Sequence, residues 1–197
     1  GDMFNVMGAT GGQGGMTVEV LKSAREVSSL LDNMDPAEAA KYQYIKHMFS
    51  PILVYLGMFD TDMYGDMPYT EAVMARYTNP MLLTPKFDTM EELYTIWYDQ
   101  LVEAVNVLSN PVTVNGTQIT QTALGAQDFV YGGNAAKWAK FANSLKLKLA
   151  VRLLHQNKAK ALAIAKEAAA NPAGLMTSLN DDFVYNKGSQ EYHFGDD

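Results

Sequence analysis

Apolar side chains recur every three or four residues through five segments of the chain, and this period constrains the fold more than any other feature. Such spacing places the apolar side chains on one face of an α-helix, where they can be buried together. The five segments span residues 17–34, 36–56, 89–109, 135–149 and 158–170. Their consecutive arrangement, with few strand patterns between them, predicts an all-α protein built from helix pairs.

Capping residues indicate where several of these helices begin. Thr17 is predicted to cap the first helix and Asn134 the fourth, because short polar side chains accept hydrogen bonds from the free N–H groups of a first turn. At the second helix, Asp35 can cap in the same way and Pro36 fits the first helical position. Glu38, three residues after Asp35, is predicted to complete a capping box.

Three connections separate or precede the helices. Residues 1–16 contain six glycines and are predicted to be a loop, and residues 60–87 carry several Gly and Pro turn signals. Residues 112–127 are polar and β-branched around Asn115–Gly116, which predicts a short hairpin or a loop. Residues 17–197 are predicted to form one helical domain.

Composition and charge narrow the classes of function. The formal net charge of -7, without a basic stripe, disfavours binding to nucleic acid phosphates. The chain has no cysteine, which excludes disulfides and thiolate metal sites within it. No apolar run has the length of a membrane-spanning helix, and no signal peptide opens the sequence.

Three ordered stretches resemble the motifs of one protein family. Residues 59–72 read FDTDMYGDMPYTEA, residues 85–94 read PKFDTMEELY, and residues 128–152 read DFVYGGNAAKWAKFANSLKLKLAVR. All three are similar to motifs of SusD/RagB-like proteins, in the same order and at matching spacing. Asn134 stands where that family usually has Asp, and both residue types cap helices well.

The resemblance implies a fold and a role. The implied fold is all-α, a tetratricopeptide-like helical-repeat superhelix with long structured loops. The spacing of Trp138, Phe141, Ala142 and Leu145 also matches the first helix of a tetratricopeptide repeat, although no regular repeat of about 34 residues is present.

The implied role is a nutrient-binding lipoprotein at the outer-membrane surface. Such a protein captures glycans or peptides for a SusC-like TonB-dependent transporter and touches the membrane only through a lipid anchor. The lipidated N-terminal cysteine and most of the family's C-terminal elaboration are expected to lie outside this sequence.

Four carboxylates form a candidate calcium site. Asp60, Asp62, Asp66 and Glu71 follow the spacing of an EF-hand loop, but Tyr64 offers no carboxylate where that loop needs one. The favoured interpretation is therefore that these side chains brace a tight turn by accepting hydrogen bonds from backbone N–H groups. No other cofactor is predicted.

Candidate ligand-binding residues lie in the loops. The resemblance implies that the segment before the first helix can contribute to the ligand face, which makes Phe4, Asn5 and Gln13 candidates for stacking on a sugar and hydrogen bonding to it. Tyr77 and Asn79 are further candidates in the long connection. Aromatic faces and polar side-chain groups suit a polar, ring-shaped ligand.

The fourth helix is basic. Its cations are Lys137, Lys140, Lys146, Lys148 and Arg152. A membrane-surface or anion-binding helix is one interpretation, and a solvated face that balances the acidic remainder of the chain is the favoured one.

Two other classes of function stay open beside nutrient binding. One is a helical-repeat scaffold for protein interactions without a small-molecule ligand. The other is an all-α glycoside hydrolase, which needs two suitably placed carboxylates. Neither a G-x-S-x-G nor an H-E-x-x-H motif occurs, and the sequence favours a binding protein over an enzyme.

Overall fold

The computed structural model describes residues 15–185, which are mostly helical. The helices are α1 (Gly15–Asp32), α2 (Pro36–Ala39), α3 (Gln43–Tyr64), α4 (Met90–Ser109), α5 (Ala135–Leu153) and α6 (Lys158–Ala170). The only strands within this range are β1 (Thr113–Val114) and β2 (Thr117–Gln118), which pair antiparallel on either side of the Asn115–Gly116 turn. The predicted all-α class and the predicted hairpin are confirmed.

Two predicted helix starts agree with the structure in detail. Asn134 caps α5 by accepting a hydrogen bond of 3.1 Å from the backbone N–H of Lys137. Thr89 caps α4 in a reciprocal capping box, in which the Glu92 carboxylate accepts from the backbone N–H of Thr89 at 2.8 Å. These local bonds satisfy N–H groups that the first turn of a helix leaves free.

Two capping predictions are wrong. Helix α1 begins two residues before Thr17, which is fully buried and donates its hydroxyl hydrogen to the Asp60 carboxylate instead of capping. Asp35 does cap α2, but Glu38 does not return a bond to it, because its carboxylate accepts a hydrogen bond of 2.6 Å from Lys41. Thr17 thus bonds to a residue 43 positions away, whereas Glu38 bonds to a residue three positions along its own segment.

The second helical segment differs from its predicted form. It consists of the single-turn helix α2, a 3-10 turn at Ala40–Tyr42 and the long helix α3, which continues to Tyr64. Residues 60–64, predicted to open the long connection, therefore belong to α3. The helix ends at Gly65, whose φ of 78° is a conformation that glycine adopts without steric cost.

The helices pack against their neighbours in sequence order. Tyr94, near the start of α4, has its hydroxyl 3.5 Å from the guanidinium of Arg152 at the end of α5, so these two helices are antiparallel. Lys146 of α5 binds Glu167 near the end of α6, across a connection of four residues. Within residues 15–185, none of these helices combines the length and hydropathy needed to cross a bilayer.

The core lies between α3, α4 and α5. The indole ring of Trp97 is fully buried, with the rings of Tyr94 and Tyr69 at centroid distances of 5.6 and 5.9 Å. Gly57 of α3 lets that helix approach the indole closely. Other core residues are Met58, Leu93, Leu101, Trp138, Phe141, Leu145 and Leu149.

Candidate functional site

The long connection between α3 and α4 forms a folded loop, here called the signature loop (residues 65–89). Its base is closed by reciprocal backbone hydrogen bonds between Met67 and Asp88, of 3.2 and 3.0 Å. The carboxylate of Asp66 accepts a further bond of 2.9 Å from the backbone N–H of Met90, at the start of α4. The loop is thus held at both of its ends by the same few residues.

The carboxylate of Asp88 anchors the interior of the signature loop. It is fully buried and accepts from the backbone N–H groups of Tyr69 and Thr70 at 2.9 and 2.8 Å, and from the Thr70 hydroxyl at 2.7 Å. Lys86 lies 3.1 Å away as a counter-charge. Burial alone would raise the pKa of Asp88, but these donors outweigh burial and hold the pKa below its usual range.

Helix α1 also supports the first half of the loop. The guanidinium of Arg25 donates to the backbone carbonyl oxygens of Ala72, Tyr69 and Thr70, at 2.9, 2.9 and 2.7 Å. A planar guanidinium can make several such bonds at once, because its donors are fixed in one plane. The first half of the signature loop is consequently bound to side chains on two different elements.

The second half of the loop presents its side chains outward. Asn79 is exposed, and so are the large apolar side chains of Met81, Leu83 and Phe87. Exposed apolar side chains on an anchored loop are typical of interaction surfaces, because such loops combine a fixed backbone with accessible contact area. We call these four residues the loop crest.

The two predicted ligand residues in the loop have different surroundings. The Tyr77 hydroxyl donates to the Glu26 carboxylate at 2.6 Å. This hydrogen bond is the main reason why the pKa of Tyr77 is raised, and the removal of water from the hydroxyl raises it further. Arg76 binds the same carboxylate at 3.0 Å, and its guanidinium lies 5.4 Å from the Tyr77 ring centroid. Tyr77 is therefore tied to α1, whereas Asn79 is exposed at the loop crest.

The structure does not bring the four candidate calcium ligands together. Asp60 accepts from Thr17, and Asp62 forms an ion pair with Arg152. Asp66 and Glu71 brace the signature loop through backbone N–H groups; the Glu71 bond, to the N–H of residue 86, is 2.8 Å. Among residues 15–185, no group of three or more His, Asp or Glu side chains has the arrangement of a metal site.

A second carboxylate organises the turn before α5. Asp128 accepts from the backbone N–H groups of Val130, Tyr131 and Gly133 at 3.0, 3.1 and 2.8 Å, and from the indole N–H of Trp138 at 2.7 Å. Burial would raise the pKa of Asp128, but these bonds outweigh it and lower the pKa. The motif beginning at Asp128 is therefore framework that fixes the start of α5.

The prediction that the cations of the basic helix form a solvated face is only partly correct. Lys146 is 1% exposed and binds the Glu167 carboxylate at 2.8 and 2.9 Å. Arg152 pairs with Asp62 and so joins α5 to α3. Sequence spacing placed these cations on a helix but could not show which of them point toward another helix.

The remaining ligand candidates, Phe4, Asn5 and Gln13, lie outside the residues that the structure describes. Their role is therefore still a prediction. It rests only on the resemblance stated above.

Comparisons with known proteins decide the family. A family described as "Susd and RagB outer membrane lipoprotein" matches residues 16–194. The chain belongs to the SusD-like family. The three motifs that suggested this resemblance thus lie in the matched region, and the recognition is confirmed. A search among curated proteins gave no match.

Solved structures of SusD-like proteins share this fold. A SusD homologue from Bacteroides uniformis is 29% identical with a TM-score of 0.62, over 84% of this chain and 30% of its own. A SusD-like protein from Bacteroidetes is 27% identical with a TM-score of 0.67, over 89% of this chain and 28% of its own. These relatives are helical and tetratricopeptide-like, which confirms the predicted architecture.

A third solved relative is described as a chitin-binding SusD homologue from Flavobacterium johnsoniae. It is 23% identical, with a TM-score of 0.66, over 86% of this chain and 32% of its own. At that identity the likeness concerns the fold alone. This SusD-like chain spans about 30% of the length of these solved relatives.

Sequence reasoning did not identify two exposed apolar surfaces of this SusD-like chain. On α3, Tyr55, Phe59 and Met63 are partly exposed at four-residue spacing, and the Tyr55 ring lies at the border of the core, 6.5 Å from the Phe141 ring. Phe129 and Tyr185 are both 63% exposed and form an edge-to-face pair with centroids 6.1 Å apart. The sequence of α3 carried a signal for the first surface, because residues four apart lie on the same side of a helix.

Proposed function

We propose that this chain is part of a cell-surface nutrient-binding lipoprotein that captures oligosaccharides, or peptides, for import. In this proposal the whole protein is held at the outer membrane by a lipid anchor and delivers its ligand to a SusC-like TonB-dependent transporter. The match to an outer-membrane lipoprotein family over residues 16–194 is the observation that carries it.

The proposed contribution of this chain to ligand capture is the loop crest. Phe87 offers a ring face for the C–H surface of a sugar, and Asn79 offers an amide that can both donate and accept hydrogen bonds. The anchoring of the loop by Asp88 and Arg25 supports this role, because a backbone that is already ordered loses little entropy on binding. Tyr77 supports the loop instead of contacting the ligand, since its hydroxyl is bonded to α1.

The mechanism is non-covalent capture followed by release to the transporter. Ring stacking supplies apolar contact and the amide supplies directional hydrogen bonds, so ligands that lack ring faces or hydroxyl groups are disfavoured. No bond in the ligand is made or broken. Catalysis is therefore not part of the proposal, and the ligand is expected to leave unchanged.

A second candidate function has one observation in its favour. The exposed row of Tyr55, Phe59 and Met63 on α3 is the kind of surface that a protein partner covers, and a helical scaffold for protein interactions would use such a surface. This candidate needs no small-molecule ligand. It is distinguished from nutrient capture by the binding experiment that follows.

The test is isothermal titration of the full-length protein with a panel of oligosaccharides and short peptides. Saturable heat with at least one ligand, without product, is the expected result. Phe87→Ala should weaken that binding about five- to thirtyfold, since stacking contributes on the order of 1–2 kcal/mol. Phe129→Ala, which removes a similarly exposed ring elsewhere, is the matched control and should bind normally.

Other outcomes favour the other candidates. Absence of heat with every ligand, together with capture of a protein partner that a Phe59→Glu variant loses, would favour the scaffold. Release of shorter sugars would indicate a hydrolase. The transporter step is tested separately, by co-purifying the full-length protein with SusC-like barrels from the same organism. Failure to co-purify with any of them would remove that part of the proposal.

A further inference from the structure

Lys146, in the middle of α5, has a side chain that is almost completely buried, with 1% of its surface exposed. Lysine is rarely buried to this extent unless an acidic group pairs with it. The Nζ atom lies 2.8 and 2.9 Å from the two carboxylate oxygens of Glu167, near the end of α6. The ammonium is therefore held against this carboxylate with little access to water.

An asparagine shares the same carboxylate. Asn171 follows the last residue of α6, and its side-chain nitrogen Nδ2 donates to Oε1 of Glu167 at 3.1 Å. That oxygen also accepts from Nζ of Lys146. The lysine nitrogen and the asparagine amide nitrogen are consequently each one hydrogen bond away from a single oxygen atom.

The carbonyl group of the Asn171 side chain is hydrogen-bonded as well. Its Oδ1 atom accepts from the backbone N–H of Ala173 at 3.0 Å. An N–H group directed at a carbonyl oxygen stabilises the negative charge that develops there when a nucleophile attacks the carbonyl carbon. The turn itself is fixed by Asn143 of α5, which donates to the backbone carbonyl of Gly174 at 2.8 Å. The turn thus presents a positioned and polarised amide.

The three side chains have the chemistry needed to exchange one amide for another. A neutral lysine amine is a nucleophile, and a carboxylate that contacts both nucleophile and leaving group can carry protons between them. Lys146 supplies the amine, Asn171 the acyl group and Glu167 the carboxylate. The burial of Lys146 favours attack by the amine over attack by water, because few water molecules reach the group.

We propose that Lys146 and Asn171 form an intramolecular isopeptide bond, which joins α5 covalently to the turn after α6. Glu167 takes a proton from the Lys146 ammonium, and the neutral Nζ attacks Cγ of Asn171. Glu167 then returns the proton to Nδ2, and the bond between Cγ and Nδ2 breaks. The released ammonia takes the excess proton from Nζ. The products are one secondary amide and one ammonium ion, so no oxidant, reductant or other co-reactant is consumed.

Such a bond has the stabilising effect of a disulfide in a chain that contains no cysteine. It restricts the unfolded chain by closing a loop that includes the whole of α6. An amide is not cleaved by thiols, so the cross-link is independent of the redox conditions around the protein. This inference concerns the framework of the protein and does not rest on the function proposed above.

The test is peptide mapping of the full-length protein by mass spectrometry after denaturation and digestion with trypsin. Trypsin does not cut after an acylated lysine, so the cross-linked protein should yield a branched peptide that joins residues 141–148 to residues 167–187. Its mass should be lower than the sum of its two parts by about 17 Da, the mass of ammonia. Fragmentation of the branched peptide should locate the bond between Lys146 and Asn171.

Two results from the natural protein would overturn the proposal. One is recovery of residues 141–146 and 167–187 as separate peptides without the branched peptide. The other is a branched peptide that has lost about 18 Da, the mass of water, with its bond on Glu167, since this would be direct condensation of the ion pair.

Variants test the roles of the two partners of Lys146. Asn171→Ala removes the acyl group, and Glu167→Gln keeps the shape but removes the proton carrier, so neither should contain the bond. Asn106→Ala removes an exposed asparagine of α4 that does not bond to Glu167; it is the matched control and should be cross-linked like the natural protein. Circular dichroism checks that each variant is folded. A bond between Lys146 and residue 171 in Glu167→Gln, or its loss from folded Asn106→Ala, would contradict the assigned roles.

Discussion

Gly57 stands where α3 approaches the indole ring of Trp97. A Cβ atom at this position would lie 2.5 Å from Cζ2 of the indole, whose residue is fully buried. We expect Gly57→Ala to lower the free energy of unfolding by about 1–3 kcal/mol, because overpacking outweighs the better helix propensity of alanine. Urea unfolding followed by circular dichroism measures the change.

The control for this residue is a double-mutant cycle. In a Trp97→Leu background the clash is removed, so Gly57→Ala should cost much less or even stabilise the helix. An equal cost in both backgrounds would show that the indole is not the constraint on Gly57.

Asp181 makes the stability of the C-terminal turn depend on pH. The ammonium of Lys140 lies 2.9 Å away and, with the N–H of Thr177 and the Ser178 hydroxyl, lowers the pKa of Asp181 to about 2. A lowered native pKa means that this stabilisation is complete above the unfolded pKa of about 4 and is lost as the pH falls toward about 2.

The variant Asp181→Asn should therefore lose stability at neutral pH and show a flatter decline between about pH 4 and pH 2. Thermal unfolding across that range is the measurement. Asp182→Asn changes the exposed neighbouring residue and should follow the natural profile. If both variants flatten the curve alike, the contact with Lys140 is not responsible.

At the scale of helices, Asn143 joins the middle of α5 to the end of α6. Its buried amide donates to the backbone carbonyls of Ala168 and Gly174, at 2.9 and 2.8 Å. We expect Asn143→Ala to lower the free energy of unfolding by an amount on the order of 1–3 kcal/mol, because both carbonyl oxygens lose a hydrogen-bond donor. Hydrogen exchange should rise mainly in α6.

The variant Asn143→Asp tests whether the hydrogen bonds donated by the amide matter, or only the size of the side chain. It preserves the size of the side chain but replaces the NH₂ group by an acceptor, so it should be at least as damaging as Asn143→Ala. Natural stability in the Asp variant would contradict the role assigned to the amide.

The positions of the helices were easier to predict from the sequence than the side-chain contacts between them. The bounds of α6, the start of α4 near residue 89 and the cap at Asn134 follow from signals within a few residues of each helix end. Thr17 was misread because the partner of its hydroxyl is 43 residues away, which no local pattern encodes. The burial of Lys146 was missed for the same reason, since Glu167 lies on another helix.

The candidate site was predicted less well than the fold. The braced-turn interpretation is correct for Asp66 and Glu71, whose carboxylates accept from backbone N–H groups of the loop. It is wrong for Asp60 and Asp62, which lie in α3 and bond to the side chains of Thr17 and Arg152. Which loop side chains point outward depends on anchors in α1 and at Asp88, so Asn79 and Tyr77 could not be distinguished from spacing alone.

At the scale of the whole molecule, one apolar core joins the two tryptophans. Trp97 of α4 packs against α3. Trp138 of α5 packs on the rings of Tyr131 and Phe183, at centroid distances of 5.2 and 5.9 Å. Because the core is continuous, we expect both environments to unfold together.

Single-tryptophan variants measure this cooperativity. Trp97→Phe and Trp138→Phe each leave one reporter, and the fluorescence transition of each should coincide with loss of helix by circular dichroism in the same variant. If either reporter changes before the helices unfold, the α3–α4 and α5 regions form separate cooperative units.

Most of the bonds that hold the signature loop end on main-chain atoms. Arg25 reaches three carbonyl oxygens and Asp88 two backbone N–H groups, while Asn79, Met81 and Leu83 are exposed beyond those anchors. The exposed side chains can therefore change during evolution while the hydrogen bonds that hold the loop backbone stay the same. A library randomised between residues 79 and 84 should yield mostly folded proteins, which makes this stretch a natural position for grafting new specificities.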